Sequence, residues 1–202
     1  MTTATAAPEA AAFPADVTPI WKLGLRDITL SLAGLSLFAA ADTWHATTGL
    51  ALAGVVSVLD GILAGVGIGI LAHEWGHFAG ARLGGGIAPT RKFSSLFPIF
   101  VLDLERSDPA AFRAMGVGGN IAHWGLVIAI AALLPMDAAG RVALLAGAFG
   151  FAVSASVTEF PIIGRAYSGA TPKESFEGLT REKLRQHRWI GFAAGVALLV
   201  LL

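Results

Sequence analysis

Long apolar runs separated by short polar segments dominate the chain. They fill 28–41, 49–82, 110–135, 141–160 and 189–202. A crossing of the hydrocarbon layer takes about 20 residues as a helix, so these runs read as membrane spans. The run 28–41 is short and crosses only with help from its neighbours; a polar break at 42–48, containing His45, ends it. At about 1.5 Å per residue the run 49–82 is too long for one upright crossing. Asp60-Gly61 is the predicted interruption, leaving an interfacial or re-entrant piece and then a second span over 61–83. Residues 84–109 mix charges with the apolar stretch LFPIFVL and read as extended structure at the membrane surface, able to pair with an unwound peptide. The third span covers 110–135 and the fourth runs from Arg141 to Glu159-Phe160-Pro161. A polar helix follows over 165–188 with Thr180 as a cap, then a fifth helix, or a stub of one, over 189–202.

The predicted fold is an all-α polytopic membrane protein with about five transmembrane helices and a short extended or β segment between helices 2 and 3. Residues 1–20, rich in Ala, Thr and Pro, read as a flexible tail. A single membrane-embedded domain fills 21–202, with its core at 58–165 and an amphipathic segment plus last helix at 172–202. Composition agrees. The 202 residues are 55% hydrophobic and only 14% charged, where soluble domains carry about a quarter charged. With no cysteine there is no disulfide and no thiolate ligand, so a transition metal must rely on His, Asp or Glu. Zero net charge gives no reason to expect nucleic acid.

The chemistry concentrates in LAHEWGHFAGAR, residues 71–82. Positions i and i+4 share a helix face, so His73 and His77 can bind one metal ion with Glu74 beside them, the HExxH arrangement of a zinc hydrolase. Residues 61–72, the twelve before His73, carry no charge. The site is therefore intramembrane, where an ionised carboxylate costs about 2.5–3.5 kcal/mol and is retained for function. Asp60 lies thirteen residues before His73, roughly 20 Å along a helix, and cannot share that ion. It reads as a helix end at the interface.

The segment HEWGHFAGARLGG resembles the HExGH segment of the site-2 protease family, intramembrane zinc metalloproteases. MGVGGNIAHW, residues 115–124, resembles that family's Gly-Pro-x-x-Asn segment, with Gly119 near the position of the proline. The resemblance covers about 58–165. It departs at the third motif, where an aspartate of Leu-Asp-Gly is the expected ligand and this chain has TEFPIIG, residues 158–164. Glu159 is the only carboxylate in that span and is the favoured third ligand, beside a Pro161 expected to disrupt the helix; His123 is the competing ligand. The resemblance implies a single Zn²⁺, Glu74 as general base, and Asn120 and His123 as donors to the substrate backbone or oxyanion. It also implies a transmembrane protein or peptide as substrate.

Outside Lys22, Arg26 and Arg141, the eleven other Lys and Arg of the chain's fourteen lie between Arg82 and Arg188. Basic loops stay inside, so the site face and the N-terminus are expected on the cytoplasmic side, in a bacterial cytoplasmic membrane. His45 faces the other side and His187 sits in the basic segment, so neither reads as a ligand. The small-residue pairs Gly61/Gly65, Gly65/Gly69 and Gly76/Gly80 suit close helix packing or a homodimer in the lipid. Two other readings compete. One is an inactive relative that binds membrane helices, favoured by the missing Leu-Asp-Gly; the other is a metal or ion transporter, favoured if Asp60 shares a path with the histidines.

Overall fold

The computed structural model describes residues 17–202. Among them six helices form: α1 (Ile20–Thr48), α2 (Ala51–Leu83), α3 (Pro109–Leu133), α4 (Ala139–Tyr167), α5 (Pro172–Ser175) and α6 (Arg181–Leu201). Helices α1 to α4 are long and apolar enough to cross a membrane, so this is an all-α multi-pass membrane protein. The helices support four spans rather than five. The polar helix predicted over 165–188 is broken: its start is the end of α4, 172–175 is the short α5, and 181–188 runs on into the last apolar segment as α6, whose first turns, REKLRQHR, are too charged for a span. Thr180 caps it as predicted, accepting the Lys183 N–H at 3.2 Å.

Two predicted breaks are absent, each for a tertiary reason. At 42–48, α1 continues because Asp42 is buried against neighbours. It accepts from Ser57 Oγ at 3.3 Å and from Arg141 Nε at 3.0 Å. The helix ends instead at Gly49, whose left-handed φ of 66° suits glycine. At Asp60-Gly61, α2 is also continuous. Gly61 is there for packing: a Cβ would stand 2.5 Å from Gly140 O. With 33 residues α2 is about 50 Å long, well beyond a hydrocarbon layer of about 30 Å, so it tilts or emerges.

Helix α2 is the centre of the bundle. Its glycines meet α4 through Gly61 and Gly65 and α3 through Gly76 and Gly80, in each case against a facing backbone carbonyl. The stripes predicted to serve helix packing or a homodimer are thus consumed inside the chain. Helix α1 lies along α2, and α6 lies on α4 where Gly191 meets Gly150.

Between α2 and α3 no strand forms; the predicted β segment is an irregular hairpin with one antiparallel bridge, Thr90–Phe100. Arg91 N–H donates to Ile99 O at 2.9 Å and Asp103 N–H to Ile87 O at 2.9 Å, while Pro89 has no N–H to extend the ladder. Residues 1–16 of the predicted tail lie outside the described residues. Its end is not free: the Thr90 hydroxyl donates to Thr18 O at 2.6 Å, docking the start of α1 on the hairpin. Arg26 of α1 reinforces this by donating to Phe93 O and Ser95 O at 2.6 and 2.9 Å.

Candidate metal centre

Two helices bring three groups to a point, with α2 contributing two and α4 one. His73 and His77, one turn apart on α2, both aim Nε2 at Glu159 Oε1 of α4, at 3.0 and 2.9 Å. The three ligand atoms lie within 4.8 Å of one another. Pro161 sits two residues beyond Glu159, yet α4 runs through it. It removes the N–H that Val157 O would accept, and the helix survives because its flanks are packed on α2, α3 and α6.

Following the protons shows what the point is built for. His77 Nδ1 faces Met115 O at 2.8 Å; a carbonyl only accepts, so Nδ1 carries the hydrogen and Nε2 of the neutral ring is a bare lone pair. The His73 side takes more steps. Asn120 Nδ2 donates to Glu159 Oε2 at 2.8 Å and to Gly116 O at 3.1 Å, which leaves its Oδ1 to accept from Ser156 Oγ at 3.1 Å. Ser156 has spent its only hydrogen there and accepts from Trp124 Nε1 at 2.9 Å. It must therefore also accept from His123 Nε2, 3.3 Å away. A neutral His123 then offers a bare Nδ1 to His73, 3.0 Å away, so His73 Nδ1 carries the hydrogen and His73 Nε2 is bare. With both rings neutral, two imidazole lone pairs and one carboxylate oxygen face one another. Electron pairs held this close repel unless a cation or added protons lie among them.

Two imidazoles and a carboxylate are the donor set of an open zinc site, and donors to the outer atoms of each ligand are what hold such sites in shape. The residues present fit Zn²⁺. Gly119 gives His77 its place: a Cβ there would stand 2.5 Å from His77 Nδ1 and closer still to Cε1. On the lipid side Phe151 closes the group, its ring edge-on to His73 and His123 at 5.5 and 5.9 Å.

Of the residues the sequence singles out, His73, His77 and Glu159 come together. His123 lies outside that group, its two nitrogens facing His73 and Ser156, where it can position His73. The same holds for Asn120, whose two amide hydrogens are spent on Glu159 and Gly116. Glu74 lies apart from the converging atoms, its Oε2 accepting the Ile99 N–H of the hairpin at 3.4 Å. Asp60 faces a groove between α1 and α2, lined by Leu37 and Leu63 among others, and shares no cavity with the histidines. His45 bonds Leu50 O at the far turn, and His187 meets Thr158 at 3.1 Å. Sequence reasoning missed Ser156 and Trp124. The available signal was spacing: Ser156 is one turn before Glu159, and Trp124 adjoins His123.

Comparison with family models, with curated proteins and with solved structures finds no match to this chain. Its function rests on its own geometry.

Proposed function

We propose that the protein is an intramembrane zinc endopeptidase that hydrolyses peptide bonds in or near transmembrane segments of other membrane proteins. The observation that carries this reading is the meeting of two imidazole nitrogens and a carboxylate oxygen from α2 and α4 beside a glutamate that is not among them. A structural or transport site has no use for Glu74; a hydrolase needs a base there. Glu159 supplies the carboxylate that the absent Leu-Asp-Gly aspartate would have given, which removes the main support for an inactive relative. Asp60, away from the histidines, gives no support to a transport path.

Bound zinc supplies Lewis acidity, polarising a carbonyl and making water acidic enough to react near neutral pH. The chain's own groups do the rest. Glu74 Oε2 is held by the Ile99 N–H, leaving Oε1 to take the proton of the attacking water and later pass it to the leaving amine. His123 and Asn120 keep His73 and Glu159 in one tautomer and one rotamer, so no reorganisation is needed at the moment of reaction. Phe151 and the apolar bundle exclude bulk water from the lipid side. The substrate reaches the site unwound, because a helical peptide bond is shielded by its own hydrogen bonds. In this reading the basic ends of α2, α3 and α4 face the cytoplasm of a bacterial cell, and the site opens to that side.

The test uses purified protein in detergent with a panel of transmembrane substrates, comparing wild type, Glu74→Gln and chelator-treated protein. Cleavage by the wild type alone is expected. Equal processing by all three would remove the reading.

A further inference from the structure

A cavity of about 160 Å³ opens directly off the candidate metal centre between the cytoplasmic halves of α3 and α4, with His77 and Glu159 in its floor. Its walls are Phe112, Ile162, Ile163 and Ala166. Its roof is Phe176 and Leu179, from the segment joining α5 to α6. The roof is a fixed part of the fold. Arg165 of α4 donates to Ser175 O, and Phe112 meets Phe176 edge-on at 5.7 Å. A Thr171–Glu174 capping box holds α5 just before it. The only charge at the rim is Arg113, placed over the Tyr167 ring at 5.7 Å.

The other flank of the site is closed. On the Glu74 side the hairpin is packed down, with Ile99 and Phe100 buried against Phe78 and Ala81. A peptide laid across the centre therefore meets a recess for a side chain on the His77–Glu159 side.

We infer that this cavity is a specificity pocket that receives one side chain flanking the cleaved bond, and that it selects apolar side chains of the size of Leu, Met or Phe. The inference rests on the peptidase reading. Size comes from volume: an apolar cavity of about 150 Å³ is known to hold one benzene. Trp is too large for it, Ala leaves most of it empty, and the apolar walls Phe112, Ile162, Ile163 and Ala166 offer a charged side chain no partner short of the rim Arg113 or the floor. Ile163 sets the depth. Gly116 leaves it room, since a Cβ at Gly116 would stand 2.8 Å from Ile163 Cγ1 and push it into the pocket.

Two measurements test this. Zinc-loaded protein in detergent is given a transmembrane peptide library, and the cleaved bonds are read by mass spectrometry. Leu, Met or Phe is expected at one fixed flanking position, favoured over Ala, Trp and Asp by about 10-fold or more. Separately, binding is measured for N-acetyl amino-acid hydroxamates carrying methyl, isobutyl, benzyl or indolylmethyl groups. Isobutyl and benzyl are expected to bind tightest, and Ile163→Ala to move the optimum to indolylmethyl. Phe176→Ala, at the partly exposed roof, should do the same while leaving the Ile163 side of the pocket intact. Cleavage indifferent to both flanking residues, or an affinity order that ignores size and is unmoved by either variant, overturns the pocket even if peptidase activity stands. No cleavage, with size-ordered binding that shifts in the variants, sinks the peptidase reading and upholds the pocket.

Discussion

Gly119→Ala tests the centre with a single methyl group. In α3 this methyl would stand 2.5 Å from His77 Nδ1, where ordinary contacts between heavy atoms need about 3.5 Å. Relief requires a ring displacement of about 1 Å, because the facing atom is backbone-borne on a helix packed tightly at Gly76 and Gly118 and cannot retreat. The ring is not free to swing either, being tied by Nδ1 to Met115 O at 2.8 Å. A shift of about 1 Å is several times the roughly 0.2 Å that a metal–ligand distance tolerates. Zinc affinity should fall by at least the 10- to 100-fold typical of lost outer-shell support. Stability has two opposing terms: Gly to Ala inside a helix gains about 0.5–1 kcal/mol, and overpacking costs about 1–3 kcal/mol. A net loss of between about 0 and 2.5 kcal/mol follows from these two. Gly125→Ala on the same helix is the control, since nothing lies within 4 Å of a Cβ there and only the helix gain applies. Zinc competition against a chromophoric chelator, with thermal unfolding in detergent, reads both quantities. Wild-type zinc affinity in Gly119→Ala would refute the placement of His77.

Ser156→Ala leaves Trp124 Nε1, His123 Nε2 and Asn120 Oδ1 without their shared partner, at about 1–3 kcal/mol for each buried group left unsatisfied. It should also weaken zinc binding about 10- to 100-fold although Ser156 touches none of the converging atoms; unchanged metal affinity would show that the chain of hydrogen bonds is idle. Glu159→Asp draws the carboxylate back by about 1.5 Å, one carbon–carbon bond, and should lower zinc affinity more than Ser156→Ala does. Equal affinity would mean that α4 moves freely enough to follow it. Arg26→Met removes two charge-assisted bonds that hold the hairpin to α1, so amide exchange across 93–99 should rise while exchange in α3 stays unchanged. No change at 93–99 would place the hairpin's anchorage elsewhere.

Legibility followed distance along the chain. His73 and His77 were readable because one turn of helix is a local fact, and Glu159 because α4 has no other carboxylate to offer. The misread positions are those whose partners are remote. Asp42 looks like a break when seen among Thr43, His45 and Thr47, and is a buried ion-pair member only because Arg141 arrives 99 residues later. Gly61 after Asp60 looks like a hinge, yet the reason for glycine there is the carbonyl of Gly140. Residues 84–108 have the composition of an edge strand, but Pro89 limits the pairing to a single bridge. Asn120 and His123 were found as polar residues in an apolar helix, but Ser156, 33 residues from His123, could not be foreseen as the hydroxyl that links them.

That serine explains why so many polar groups are tolerated at membrane depth. Each buried donor or acceptor in hydrocarbon needs a partner. From His73 through His123, Ser156 and Asn120 to Glu159, every hydrogen has one acceptor and every acceptor but the last is taken. The chain begins and ends on groups that face each other across 3.0 Å. Its two open ends are the lone pairs of His73 and Glu159, joined by that of His77, whose hydrogen is spent on Met115. The polar set is thus satisfied everywhere except at one point, and the deficit there is of positive charge. A fully satisfied network would have needed no ion, and a randomly placed one would have left several mismatches scattered through α2, α3 and α4. Three mutually facing ligand atoms at the one open point of the network are what a site able to hold a divalent cation needs.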